Sequence, residues 1–242
     1  MKLVDRHPLS ALTAHYRTIP PSMLIVLVCV VAAVRLVALG ADPPSIVLTD
    51  HLTDEGWYTQ NARNHHLFGS WVTDEHNPAL VLTPLFTLVQ RFVMYLFGTS
   101  FVSVRLPSAV SSLIVLLMVG LRLREHRSWL LSASLLLVVN PLLVTYSRVA
   151  FVESVQLAAL AGVWFFVTDR RQSEWTYGLS GIAAAFAVAA KPTAGLIAIG
   201  MALLPWLRRD QVPVRRRVWL TTSYGIGGIL GLIPFVLFVG NF

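Results

Sequence analysis

Leu80-Val-Leu-Thr-Pro-Leu-Phe-Thr-Leu-Val-Gln-Arg-Phe-Val-Met-Tyr-Leu-Phe97 is apolar enough to count as a membrane span, and whether it crosses decides which way every later segment faces. The chain around it has 242 residues, 55% of them hydrophobic and 13% charged. Soluble domains carry about 25% charged residues, so this is the composition of an integral membrane protein. Apolar runs close to the roughly 20 residues that a bilayer requires recur along the sequence.

The cations settle the direction of each run. Thirteen of the 19 Lys and Arg residues fall in four short patches: Lys2, Arg6 and Arg17; Arg122, Arg124 and Arg127; Arg170 and Arg171; and Arg208, Arg209, Arg215, Arg216 and Arg217. Short basic loops mark the cytoplasmic face. With all four inside, residues 22–39 go out, 40–105 stay outside or lie in the membrane without crossing, and 106–121 return. Residues 129–146 then go out, 149–167 come back, 175–190 go out, 194–206 come back and 218–239 go out again. If residues 80–97 crossed, the Arg122 patch and every later one would flip outside. Pro84 near the start of that segment, with Gln90 and Arg91 in its middle, suits a helix lying along the outer interface.

The sequence therefore predicts an all-α integral membrane protein with about seven transmembrane helices, plus interfacial helices in a long first outer loop. Its parts are a cytoplasmic segment (1–21), a first transmembrane helix (22–39), an outer loop (40–105) and a six-helix bundle (106–242). The net charge of +7 is accounted for by topology and not by nucleic acid. The first apolar run begins too far in and lacks a small-residue cleavage site, so it is a retained span. Cys29, the single cysteine, lies inside it, and no disulfide within the chain is possible. Because Gly240-Asn-Phe242 follows an apolar run without a basic tail, the chain reads as the N-terminal portion of a longer one.

The acids are as unevenly spread as the bases. Six of the 12 lie between Asp42 and Glu75, and Thr53-Asp-Glu-Gly-Trp-Tyr-Thr-Gln-Asn-Ala-Arg-Asn64 sets two adjacent carboxylates among aromatics in the outer loop. Asp54 and Glu55, at an apolar rim and beside each other, can be pushed apart in proton affinity, which suits general-base work on a hydroxyl. The same residues also suit a helix N-terminus with acids in its first turn. Glu153, in Phe-Val-Glu-Ser at the outer end of a span, is an ionisable residue at membrane depth and a functional candidate on that ground, or an interfacial partner of Arg148. Lys191 interrupts an apolar run at an outward turn, where a phosphate partner or a snorkelling stem would account for it. His51, His65, His66 and His76 share the loop with Asp74 and Glu75; a divalent metal is conceivable there, but no pair has an established ligand spacing, and no metal or cofactor is predicted. Gly225-Ile-Gly-Gly228 and Gly231 read as small residues at a helix-packing face.

In their order and spacing these residues resemble the GT-C superfamily of membrane glycosyltransferases, in its protein O-mannosyltransferase and aminoarabinose-transferase branch. The resemblance rests on Asp54-Glu-Gly-Trp-Tyr58, Asn61-Ala-Arg-Asn64, Leu67-Phe-Gly-Ser-Trp71, Thr83-Pro-Leu85, Leu96-Phe-Gly98, Arg105-Leu-Pro-Ser-Ala109, Ser147-Arg148 with Glu153, and Lys191. Two departures stand out. Leu82 and Thr83 occupy the place where the family often has a lysine, and Glu153 stands where Asp is common.

The resemblance implies transfer of a sugar from a polyprenyl-phosphate carrier to a protein, glycan or lipid acceptor on the extracytoplasmic face of the inner membrane. Asp54 would be the base, Glu55 its support, and Arg63, Arg148, Glu153 and Lys191 the substrate-binding residues. The partners implied are the lipid-linked sugar and membrane lipids, with no nucleic acid. A transporter or lipid-carrier flippase using Glu153 and Lys191 as a gated charge pair is the alternative. Transporters commonly carry internal repeats, and none is evident here.

Overall fold

The computed structural model describes residues 20–41, 54–72, 77–124, 127–169, 171–207 and 212–241. The N-terminal basic patch, Asp42, His51, Asp74, Glu75, His76, Arg170, Arg208 and Arg209 lie outside the described residues. Among the described residues all regular structure is helical. The helices are α1 (Pro21–Leu36), α2 (Asp54–Phe68), α3 (Ala79–Leu82), α4 (Pro84–Phe97), α5 (Phe101–Leu123), α6 (Arg127–Val139), α7 (Pro141–Arg148), α8 (Val152–Val167), α9 (Glu174–Ala190), α10 (Ala194–Ala202), α11 (Leu204–Leu207) and α12 (Val214–Val239).

Among the described residues, α5 with 23 residues and α12 with 26 are long and apolar enough to cross a membrane, and α6 with α7 make a third span if the bent pair is taken as one. The expected run 129–146 is not a straight helix: it bends by 60°. Pro141 has no N–H to offer the Leu137 carbonyl and its ring crowds the preceding turn, while the Asn140 side chain accepts from Leu143 N and starts the chain afresh. The run 194–206 breaks similarly, at Leu203 with Pro205 behind it. Residues 80–97 form two helices divided at Thr83. The second, α4, has 14 residues, about 21 Å at 1.5 Å per residue, against a hydrocarbon core of roughly 30 Å.

The two ends of the bundle differ in chemistry. At one end, the Leu39 carbonyl that follows α1 meets Arg105 near the start of α5, the α7–α8 turn meets α2, and Phe238 near the end of α12 meets Trp71 beyond α2. The chain thus leaves α1 and enters α5 at the same end, with α2 and α4 lying over it. At the other end Arg216 donates to the Arg171 and Gln172 carbonyls, and Arg122 to the Phe165 carbonyl near the end of α8. The described members of three basic patches therefore gather away from α2.

Close helix packing fixes the far side of the bundle. The Cα of Gly181 on α9 lies so near α12 that an added Cβ would stand 2.0 Å from the Tyr224 carbonyl oxygen, and one on Gly227 would stand 2.0 Å from that of Gly178. Gly225 has open space. Overpacking costs about 1–3 kcal/mol. Gly181→Ala should therefore lower the midpoint of thermal unfolding in detergent, whereas Gly225→Ala should hold or slightly raise it, a comparison that differential scanning fluorimetry makes directly.

Candidate active site

The acidic helix α2 is held by its second residue. Glu55 is buried, and Arg105 from α5 donates to both its oxygens, Nε to Oε1 at 2.7 Å and Nη2 to Oε2 at 3.0 Å. Arg105 Nη1 donates to the Leu39 carbonyl at 3.0 Å, and Ala150 N donates to Glu55 Oε1 at 3.0 Å. The Arg105 guanidinium also lies 5.0 Å from the Phe101 ring centre. One ion pair thus joins the end of α1, the start of α2, the start of α5 and the α7–α8 turn. Breaking a buried pair by removing one partner costs about 3–5 kcal/mol, so this carboxylate anchors the fold.

Helical periodicity explains the rest of α2. Glu55, Tyr58, Thr59 and Ala62 are buried at i, i+3, i+4 and i+7, the spacing of one face. Tyr58 meets Phe86 of α4 edge-on at 6.1 Å. Asn77 donates to the Trp57 carbonyl at 3.0 Å and to Gln60 Oε1 at 2.7 Å, tying down the chain before α3. Asp54 opens the helix; its side chain lies outside the described residues. Arg63 is exposed on α2. Its Cα lies nine residues beyond that of Asp54, about 13 Å further along the axis.

Glu153 and Lys191 do come together. Lys191, directly after α9, pairs with Glu153 Oε1 in the first turn of α8. Gln156 Nε2, one turn further along α8, donates to the Lys191 carbonyl at 3.3 Å and to Thr193 Oγ1 at 3.1 Å, holding the turn in place. The two paired side chains are 29% and 35% exposed. Both side chains keep part of their surface uncovered, so a further anion can reach the Lys191 ammonium without displacing the backbone. Arg148 donates to the carbonyls of Val34 at 2.6 Å and of Val37 at 3.1 Å, which are among the last acceptors of α1.

Two cations escape a reading based on charge patches. Arg105 serves in the sequence only as part of a motif, although a lone cation beside an outer loop is the same signal as Lys191. Arg35, 1% exposed, sits at the end of α1 and donates to the Leu137 carbonyl that Pro141 leaves open. An ionisable residue inside an apolar run is the feature that could have flagged it.

An apolar cavity of about 520 Å³ runs between α4, α5, α8 and α9, walled by Val89, Phe92, Pro107, Ile114, Ala159 and Gly162 among others. Among the described residues no three His, Cys, Asp or Glu side chains gather where they could hold a metal.

The sequence pattern of the dolichyl-phosphate-mannose-protein mannosyltransferase family matches residues 78–239. The chain belongs to this family. It is accordingly a mannosyltransferase-like membrane glycosyltransferase of the GT-C type. No curated protein and no solved structure matches the chain. The family match spans Arg105, Arg148, Glu153 and Lys191 and begins after α2, so Asp54, Glu55 and Arg63 stand before it.

At the far end of α2, His65 Nδ1 accepts from Arg91 Nε at 2.7 Å, and its ring stacks on Trp71 at 3.9 Å. Burial, then the charges of Arg91 and His66, push the His65 pKa below its ordinary 6.5. The unfolded chain therefore takes up a proton near pH 6.5 that the folded one refuses. The His65 contribution is fully present above that pH and declines as the pH falls below it, levelling off below the folded pKa. Thermal unfolding followed from pH 8 to 5.5 should show a steeper loss for wild type than for His65→Gln.

Proposed function

We propose that the chain carries the catalytic end of an enzyme that transfers a sugar from a polyprenyl-phosphate carrier to an acceptor hydroxyl on the extracytoplasmic face of the inner membrane. The observation that carries this reading is that the α7–α8 turn, whose Ala150 donates to Glu55 of the clamped α2, leads directly into the Glu153–Lys191 pair. Family membership supplies the reaction class.

In this reading the protein crosses seven times and α4 lies along the outer interface. The entry of α5 at the end where α1 finishes supports that arrangement. With Glu55 committed to Arg105, Asp54 is the carboxylate left for chemistry, and Glu55 acts by positioning the helix that bears it. Asp54 accepts the proton of the acceptor hydroxyl as the acceptor oxygen bonds to the anomeric carbon. The bond from that carbon to the carrier phosphate breaks, and its electron pair leaves with the phosphate.

Lys191, partly uncovered beside Glu153, would offer a charge-assisted bond to that phosphate, worth about 1.5–3 kcal/mol. Arg148, spent on α1 carbonyls, supports the site from beneath, and exposed Arg63 contacts acceptor or lipid headgroup. The isoprenoid tail occupies the 520 Å³ cavity, whose walls offer it continuous apolar contact.

In proteoliposomes, Asp54→Asn should cut sugar transfer by 10²-fold or more, the usual range for a general base, with carrier binding kept. Lys191→Ala should weaken polyprenyl-phosphate binding roughly ten- to a hundredfold. Near-normal transfer by Asp54→Asn would leave the aspartate as a helix cap, and equal carrier affinities would make Lys191 a snorkelling residue. Carrier binding by wild type with no transfer to any hydroxyl acceptor would favour the flippase alternative.

A further inference from the structure

A second cavity, of about 190 Å³, lies under the bend between α6 and α7, and Arg35 forms part of its lining. The Arg35 guanidinium has one described partner, the Leu137 carbonyl. Its Nε and Nη1 are buried, and neither has a hydrogen-bond partner among the described residues. Buried guanidinium N–H groups left unbonded are costly, and buried charges are ordinarily paired. Arg105 shows the ordinary solution in the same protein, with Glu55 on two of its nitrogens.

Arg35 has a positive neighbour instead. Arg148 donates to the Val34, Val37 and Ala38 carbonyls on either side of it and stands close enough to repel its charge. Glu153 also lines the cavity, but its Oε1 is engaged by Lys191. While Glu153 stays paired with Lys191, Arg35 and Arg148 leave an excess of positive charge beside the cavity.

The remaining walls are mostly apolar, with Val31, Val115, Leu143 and Leu157 among them. At the mouth, Leu142 is 67% exposed and Tyr146 37%. The volume is about six times the share of one liquid water, and the three serines of the lining, Ser112, Ser147 and Ser154, already donate their hydroxyl protons to backbone carbonyls. A free ion would lose its hydration for two donors. An anion attached to a hydrocarbon chain satisfies both the donors and the walls.

We propose that this cavity is a binding site for a membrane phospholipid, with the phosphodiester oxygens accepting from Arg35 Nε and Nη1 and the first carbons of an acyl chain lying along Val31, Leu143 and Leu157. One phosphodiester charge balances one guanidinium, and Arg suits phosphate as a donor. The cavity is too small for a long isoprenoid tail and is separate from the 520 Å³ cavity assigned to the carrier. The proposal does not rest on sugar transfer. The lipid would hold the α6–α7 bend against α1 whether or not the enzyme turns over.

Thermal unfolding of delipidated protein in detergent tests this with four probes: phosphatidylglycerol, diacylglycerol with the same chains, inorganic phosphate and polyprenyl phosphate. Phosphatidylglycerol should raise the wild-type midpoint by several degrees, with diacylglycerol and inorganic phosphate giving no comparable rise. Arg35→Gln should lose that rise, and so should Leu143→Trp, which fills the cavity with Arg35 in place. Native mass spectrometry of gently extracted wild type should show one retained phospholipid, a readout independent of how the variants fold. Equal rises with diacylglycerol, or a phosphatidylglycerol rise kept by both variants, would overturn the site. A full rise with inorganic phosphate would make the ligand a free anion. An Arg35-dependent rise with polyprenyl phosphate at lower concentration than phosphatidylglycerol would assign the cavity to the carrier and overturn the phospholipid.

Discussion

Glu55 and Arg105 are both taken out of water at the end of the bundle where four segments of the chain meet. Neither ion tolerates burial by itself, so each is held where the other can reach it, and the backbone that carries them has little freedom. Arg105 spends three nitrogens on two Glu55 oxygens and the Leu39 carbonyl, and Glu55 takes a further bond from Ala150. The end of α1, the start of α2, the start of α5 and the α7–α8 turn are thereby fixed relative to one another. Everything placed at that end, from Asp54 at the head of α2 to Glu153 in the first turn of α8, inherits its position from this pair.

A division of labour among the cations follows from burial. Arg105 and Arg148 complete the fold, one against a carboxylate and one against the last carbonyls of α1. Lys191 is partly exposed beside Glu153 and can be approached by an anion. Arg35 is buried with donors still unmade. Four basic residues outside the cytoplasmic patches thus differ in what they can offer an anionic ligand, although each is a single Lys or Arg beside an apolar run in the sequence.

Much of the architecture is legible from periodicity and charge. The apolar runs become helices, the described members of the basic patches gather at one end, and Gly227 and Gly231 lie where α12 touches α9. The sequence is less explicit where a distant partner decides. That Glu55 turns inward depends on an arginine 50 residues away. Pro141 is a visible signal for the bend between α6 and α7, yet 129–146 is uncharged throughout and reads as one span. Arg35 was hidden by its surroundings: an average over the apolar run 22–39 dilutes the one residue in it that most requires explanation.

The Glu55–Arg105 pair acts as a single clamp. Equilibrium unfolding in mixed micelles of Glu55→Gln, Arg105→Gln and the double variant measures it directly. Each single substitution leaves one buried ion unpaired and should cost about 3–5 kcal/mol, with the double costing less than the sum by well over 1 kcal/mol. Effects that simply add to within about 0.5 kcal/mol would contradict a coupled pair, and with it the fixed placement of α2 on which the site depends.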